Sequence, residues 1–282
     1  MEYISLNISP EVVDYLIWFI AMAVSGMLAG LMAGLLGVGG GTVIVPVLFY
    51  VFTVMSIDME VRMHMAVGTS LAIIIPTAIR SSMAHYERGT IDRVIIKSWL
   101  PWLILGVGAG SIIAGYITGE ALSIIFAVCA LLVALNMAIN TDDKAQFPGG
   151  VPKGVKGASL AGGIGGLSTL MGIGGGTFTV PTLTAFGYPI KLAVGTSAAI
   201  GAVIALPGTV GFLIAGIGIS GRPPLSLGYI NLIGWVIMFP ASVMLAPAGA
   251  KLAHFLPSQV VRYAFSIFLC VAAARMLYSV FS

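Results

Sequence analysis

Apolar residues run through this chain in long stretches, and polar residues gather in the short intervals between them. Five apolar segments are read in the first half, at roughly 13–36, 43–55, 64–80, 94–117 and 120–140. Five more follow, at roughly 155–172, 177–188, 192–217, 228–250 and 258–281. A hydrocarbon core of about 30 Å takes about 20 apolar residues in helical form. Most of the segments meet that length, but the second segment of each half does not. Such a segment completes a crossing only if the glycine stretch before it is extended and lies within the membrane.

Composition fits this pattern. Of 282 residues, 59% are hydrophobic and 8% charged, with mean hydropathy +1.07; soluble domains carry about 25% charged residues. A lipid solvent accounts for that balance, and the length leaves no room for a soluble catalytic domain. The net charge of +3 comes without a basic run and does not point to nucleic acid. The amino-terminal stretch lacks a signal peptide's basic flank and small-residue cleavage site, so the first apolar run is expected to be a retained helix.

The chain repeats itself. Gly37 to Pro46 read GVGGGTVIVP and Gly172 to Pro181 read GIGGGTFTVP, identical at seven of ten positions. AVGTS occurs at Ala66–Ser70 and again at Ala193–Ser197, and Gly89–Asp92 (GTID) align loosely with Gly228–Asn231 (GYIN). The division is therefore a first transmembrane repeat over 1–140, a polar cytoplasmic linker over 141–156 and a second repeat over 157–282.

An odd number of segments per repeat turns the second half upside down relative to the first. The positive-inside rule agrees. With the amino terminus outside, Arg80, Arg88, Arg93, Lys97, Lys144, Lys153, Lys156, Lys191, Lys251 and Arg262 fall inside, and Arg62, Arg222 and Arg275 outside. The expected fold is an all-α polytopic membrane protein of two inverted repeats, each with a short broken helix after a GGG loop. Both termini are expected outside.

Irregular backbone inside a bilayer is tolerated only where protein or a water-filled cavity satisfies it. Gly39, Gly40, Gly41 and Gly174, Gly175, Gly176 leave their N–H groups free of side-chain cover, just ahead of a helix. Thr42 and Thr177 are placed at the N-cap, and Pro46 and Pro181 in the first turn, where a missing N–H costs little. Free N–H groups at a helix start bind anions through donors and dipole together. Inverted repeats aim two such ends at one point, as in secondary transporters. Thr69, Ser70, Thr196 and Ser197 lie near the start of the third segment of each half and either cap it or donate to an oxyanion. Gly26, Gly30, Gly34, Gly106, Gly110 and the Gly162–Gly166 cluster are read as close helix packing.

Ionisable residues at membrane depth are few. His64, His85 and His254 are placed near loops; His85 is the candidate for a coupling proton, against a plain interfacial histidine. Arg275 is expected to snorkel to the interface, and Cys129 and Cys270 to be buried packing residues. No carboxylate pair, Ser/His/Asp set or Cys/His set marks a catalytic centre, and no ligand pattern calls for a metal or other cofactor.

The motifs at Gly37–Pro46, Ala66–Ser70, Gly172–Pro181 and Ala193–Ser197 resemble the sulfite exporter TauE/SafE family, over nearly the whole chain. The resemblance implies transport of sulfite, organosulfonates, thiosulfate or related anions, usually at the bacterial inner membrane. Cys129 and Cys270 stand outside the repeated motifs, unlike the motif cysteines that pass substrate along in thiosulfate-uptake proteins. The expectation is a secondary transporter whose partners are a small anion, the lipid bilayer and a coupling proton. Its rivals are a passive channel for a small polar solute and a membrane scaffold without flux.

Overall fold

The computed structural model describes residues 10–37, 39–139, 147, 150–252 and 258–281. Among these, helices α1 (Pro10–Leu36), α2 (Gly41–Val54), α3 (Met59–Tyr86), α4 (Arg93–Tyr116) and α5 (Gly119–Ile139) form the first half. Helices α6 (Gly154–Leu170), α7 (Gly176–Ala185), α8 (Ile190–Ala215), α9 (Leu232–Leu252) and α10 (Ser258–Phe281) form the second. A small antiparallel hairpin, β1 (Ser226–Leu227) with β2 (Ile230–Asn231), precedes α9. Every expected segment is a helix. Helices α3, α4, α5, α8 and α9 are long and apolar enough to cross a membrane. At 1.5 Å per residue, the 14 residues of α2 and 10 of α7 reach only about 21 and 15 Å.

Capping explains why some helices start earlier than their apolar runs. The Asp58 side chain accepts the Glu60 N–H at 3.0 Å, so α3 begins at Met59. Ala66–Ser70 therefore lies in the helix interior. Ala193–Ser197 likewise follows a first turn that opens at Ile190, after Pro189. Thr69, Ser70, Thr196 and Ser197 do not cap these helices. Helix α6 opens at Gly154, inside the interval expected to be linker; half of that interval lies outside the described residues, as does His254. His64 is buried in the second turn of α3, and His85 is buried in its last turn, beside the α3–α4 connection. Cys129 is half-buried, and Cys270 is exposed on α10 rather than buried. The Arg275 guanidinium stands over the Tyr50 ring, 5.7 Å from its centroid.

Several of the helix pairings have a counterpart when the halves are exchanged. Helix α1 lies along α9 as α6 lies along α4; α3 meets α9 as α8 meets α4; α2 packs on α3 as α7 packs on α8. Helix α3 crosses α8, and α5 pairs with α10. Between membrane helices no hydrophobic driving force operates, so close van der Waals approach must hold them together. Glycine ladders supply it. Methyl groups placed on Gly26, Gly30 and Gly34 would lie 2.6, 2.1 and 2.0 Å from the carbonyl oxygens of Met238, Ser242 and Ala246. On α4, the same test puts Gly106 at 2.1 Å from the Gly162 carbonyl and Gly110 at 2.7 Å from that of Gly166. These glycines are the packing residues their spacing indicates.

Helix α3 is the innermost span. In its most apolar stretch 78% of residues are buried, against 28–44% in the other four spans. The outer helices turn large apolar side chains outward, among them Leu105, Ile112, Leu132 and Ile214. So broad an apolar exterior would be a liability in water and is what hydrocarbon solvates. The proline inside α3 is accommodated by a neighbour: Pro76 cannot donate to the Ala72 carbonyl, and the Trp235 indole N–H takes that oxygen at 3.1 Å.

Candidate anion site

The two glycine loops meet. A methyl placed on Gly39 would stand 3.1 Å from Gly174 Cα, and one on Gly41 2.3 Å from the Gly172 carbonyl oxygen. Backbone this close excludes any side chain. Left-handed φ values make the turns: 66° and 78° at Gly37 and Gly40, 67° and 77° at Gly172 and Gly175. Only glycine adopts these without strain.

The capping residues of α2 and α7 are Gly40 and Gly175, and neither helix has a side-chain cap. Thr42 and Thr177 therefore sit one residue inside the helix, at its second position rather than at the N-cap. The reason is steric: the left-handed turn that starts each helix belongs to a glycine, which displaces threonine inward. Pro46 and Pro181 fall in the second turn instead of the first, where each withdraws the donor that would meet the carbonyl of Thr42 or Thr177.

The N–H groups of Val43 and Ile44 go to the Gly40 carbonyl at 3.0 and 3.1 Å, and those of Phe178 and Thr179 to the Gly175 carbonyl at 3.1 and 2.8 Å. Ahead of them, the N–H groups of Gly39, Gly40, Gly41 and Thr42, and of Gly174, Gly175, Gly176 and Thr177, find no acceptor among the described residues. The Thr42 and Thr177 hydroxyls, 0% and 4% exposed, are buried without a hydrogen-bond partner, as are those of Thr179 and Ser168. Buried polar atoms are nearly always paired, so this cluster of orphans around two helix starts is a distinctive feature of the molecule. Among the described residues no Lys, Arg, Asp or Glu is buried. The positive potential at the loops is that of backbone dipoles alone.

The third-segment motifs brace the loops crosswise. The Ser70 hydroxyl donates to the Gly172 carbonyl at 2.7 Å, and Ser197 Oγ stands 3.0 Å from the Gly37 carbonyl. Thr69 Oγ1 accepts the Asn231 N–H at 2.8 Å, and Thr196 Oγ1 accepts the Asp92 N–H at 2.9 Å. Asn231 and Asp92 are the matched ends of GYIN and GTID. Their side chains cap the next helices, Asn231 Oδ1 accepting from Gly234 at 2.8 Å and Asp92 Oδ1 from Val94 at 2.7 Å. The sequence motif was visible, but its role as anchor was not, because the partner lies more than 100 residues away.

Asp92 has a further partner that sequence reasoning missed. Tyr188, in the α7–α8 connection, donates its hydroxyl to Asp92 Oδ2. That bond, with backbone N–H groups of Ile95 and Val94, holds the Asp92 carboxyl below its ordinary range against the opposing effect of burial. Burial and Asp92 together push the Tyr188 hydroxyl up. His85 ties the end of α3 to two neighbours, with Nε2 3.2 Å from the Gly34 carbonyl and Nδ1 3.1 Å from Thr90 Oγ1.

The model of the sulfite exporter TauE/SafE family matches residues 22–276. A probable membrane transporter protein of Haemophilus influenzae is 35% identical, over 89% of this chain and 95% of its own. The probable membrane transporter protein YunE of Bacillus subtilis is 32% identical over 70% of this chain and 79% of its own. A third such protein, from Methanocaldococcus jannaschii, is 26% identical over 83% and 84%. No solved structure matches with significance. With a match across all ten helices and relatives named as transporters, this chain belongs to the TauE/SafE family and is an integral membrane protein.

Proposed function

We propose that the chain is a secondary transporter of a small sulfur-containing anion (sulfite, an organosulfonate or thiosulfate) held between the two glycine loops. The observation that carries this reading is the cluster of unused donors: eight loop and helix-start N–H groups and the Thr42 and Thr177 hydroxyls, all without protein acceptors among the described residues. Thr69 and Thr196 accept through oxygen and keep a hydrogen to donate. Ser70 and Ser197 act one step back, holding the loops in shape. An anion oxygen takes neutral N–H donors and two helix dipoles without a fixed cation. Binding of that kind releases its ligand more readily than a buried arginine would.

The family's name supports a sulfur oxyanion. The exchange of packing partners between halves supports an inverted repeat, with a pseudo-two-fold axis in the membrane plane and alternating access around the loops. In this reading both termini lie outside the bacterial inner membrane. His85, buried between α1 and the α3–α4 turn, carries the coupling proton; a flux indifferent to an imposed pH gradient would end that part of the proposal.

The test is binding to purified protein. Sulfite, sulfoacetate and thiosulfate are titrated against acetate as control, by calorimetry or thermal shift. The same series is run on Gly40→Val and Gly175→Val and on Thr42→Val with Thr177→Val. Tight binding lost in all variants while the protein still reaches the membrane is expected. Undiminished binding in the threonine pair overturns the site.

A further inference from the structure

One residue breaks the match between the halves at the place where the loops meet. Counting four residues on from Ser70 gives Ile74; counting four on from Ser197 gives Gly201. Both lie in mid-helix, on α3 and α8. Ile74 is wholly buried. A methyl on Gly39 would lie 3.2 Å from Ile74 Cγ2, one on Gly174 2.9 Å from the same atom, and one on Gly41 2.8 Å from Ile74 Cδ1. A single side chain thus touches both loops. Gly201 presents only backbone: a methyl there would stand 2.6 Å from the Gly174 carbonyl oxygen. Ile74, Ala78 and Ala205 form a small apolar cluster, with Ile75 and Ala202 beside it, separate from the two larger cores.

We infer that Ile74, the side chain of the first half that meets both loops, is an apolar plug that closes the anion site in this conformation and sets the bulk of the anion admitted. This rests on the glycine loops being the anion site. A methylated side chain packed against Gly39, Gly41 and Gly174, three of the residues whose N–H groups find no acceptor, leaves no space beside them for a ligand, so an anion enters only once Ile74 has moved. A β-branched side chain in a helix keeps one χ1 rotamer in about nine cases of ten. The plug therefore leaves with α3 as the two halves shift, rather than by a rotamer flip. Gly201 contributes no side chain there, and on α8 Ile204 and Ile200 stand instead against Gly175, 2.5 and 3.3 Å from a methyl placed on it; trimming Ile74 therefore enlarges the aperture beside Gly39, Gly41 and Gly174 without touching any donor.

The test needs no knowledge of the transported substrate. Cys129 and Cys270 are replaced by serine, and Thr42→Cys or Thr177→Cys reports from the site. Its reaction with the anionic sulfonate reagent 2-sulfonatoethyl methanethiosulfonate is timed with Ile74, Ile74→Val and Ile74→Ala, beside the neutral methyl methanethiosulfonate. Rates rising in that order, at least tenfold from isoleucine to alanine with the anionic reagent, are expected. Wild-type rates in both variants overturn the plug, and if the alanine variant no longer unfolds cooperatively, the valine variant decides. Should residue 74 control both reagents equally, with no advantage to the anion, the plug stands and the anion site falls.

Discussion

The Ser70 hydroxyl and the Gly172 carbonyl, 102 positions apart in the chain, are hydrogen-bonded at 2.7 Å inside the protein. The bond joins a helix of the first half to the glycine loop of the second. Its counterpart runs the other way, from Ser197 to Gly37. Each half thus fixes the loop of its partner, and neither loop is held by its own repeat through this motif. A movement of α3 against α8 is therefore felt at both loops together, which is what a site opening alternately to two sides requires.

Removing that bond has a definite expected size. Ser70→Ala strands a buried carbonyl, a loss of about 1–3 kcal/mol in the general case, whereas interhelical hydrogen bonds in membrane proteins average about 0.6 kcal/mol. The Gly172 carbonyl accepts no other hydrogen bond among the described residues, so a loss of about 1–2 kcal/mol is expected, nearer the general range. Thermal unfolding in detergent measures it. Because the brace acts through loop geometry, anion affinity should fall with stability in Ser70→Ala. An affinity change without a stability change would mean that Ser70 touches the ligand itself.

The threonines behave in the opposite sense. Thr42 and Thr177 are buried with unpaired hydroxyls, so exchanging each for the near-isosteric valine removes an unsatisfied polar atom. Stability of the empty protein should hold or rise. A hydrogen bond to a charged ligand is worth about 1.5–3 kcal/mol, so each exchange should weaken anion binding by about tenfold or more. Calorimetric titration and thermal unfolding on the same samples separate the two effects. Thr42→Val that destabilises the empty protein and leaves affinity unchanged would assign the hydroxyl to structure.

How far the chain could be read follows from which interactions are local. The helices, the short length of α2 and α7 and the glycine ladder of α1 were legible, because apolar run length and small-residue spacing are properties of neighbouring positions. The GGG loops were legible because glycine triplets before Thr and Pro occur twice. Thr42 was misplaced by two positions, since the left-handed φ of Gly40 that starts the helix is invisible without coordinates. His64 was placed near a loop because the Asp58 cap starts α3 ahead of its apolar run, whereas His85 does stand beside one, next to the last residue of α3. The crosswise pairing of Ser70 with Gly172 and the contact of Ile74 with both loops depend on tertiary packing alone. Comparing the repeats position by position beyond the AVGTS motif is the signal that brings out Ile74 against Gly201.

The Asp92–Tyr188 bond makes a pH-dependent contribution whose sign is fixed. The Tyr188 hydroxyl, then the N–H groups of Ile95 and Val94, hold the folded carboxyl below its unfolded value. A group depressed on folding stabilises the protein above its unfolded pKa and loses that contribution as pH falls through the folded pKa. Tyr188→Phe removes the largest of these effects. Its acid unfolding should begin at higher pH than in the unsubstituted protein, with the two profiles running parallel above the ordinary carboxylate range. Denaturant unfolding followed by fluorescence at a series of pH values tests this; the profiles should converge in acid, and profiles that coincide at neutral pH as well would show that Tyr188 contributes nothing to the carboxyl.

Two glycines on one helix separate packing from propensity. A methyl on Gly106 would lie 2.1 Å from the Gly162 carbonyl oxygen, while one on Gly108 meets nothing within 4 Å. Glycine in a helix interior costs about 0.5–1 kcal/mol relative to alanine, so Gly108→Ala should be neutral or slightly stabilising. Gly106→Ala gains the same propensity and must push α4 away from α6 along their line of contact. Losing that close approach outweighs the gain, since packing rather than a hydrophobic force holds membrane helices together. The expected outcome is normal yield and a small upward shift in unfolding temperature for Gly108→Ala, against reduced yield and a lowered temperature for Gly106→Ala. Since the α1–α9 seam is the exchange partner of the α4–α6 seam, Gly30→Ala should repeat the loss of Gly106→Ala. Tolerance at Gly30 with loss at Gly106 would show that the two seams, alike in geometry, differ in the load they carry.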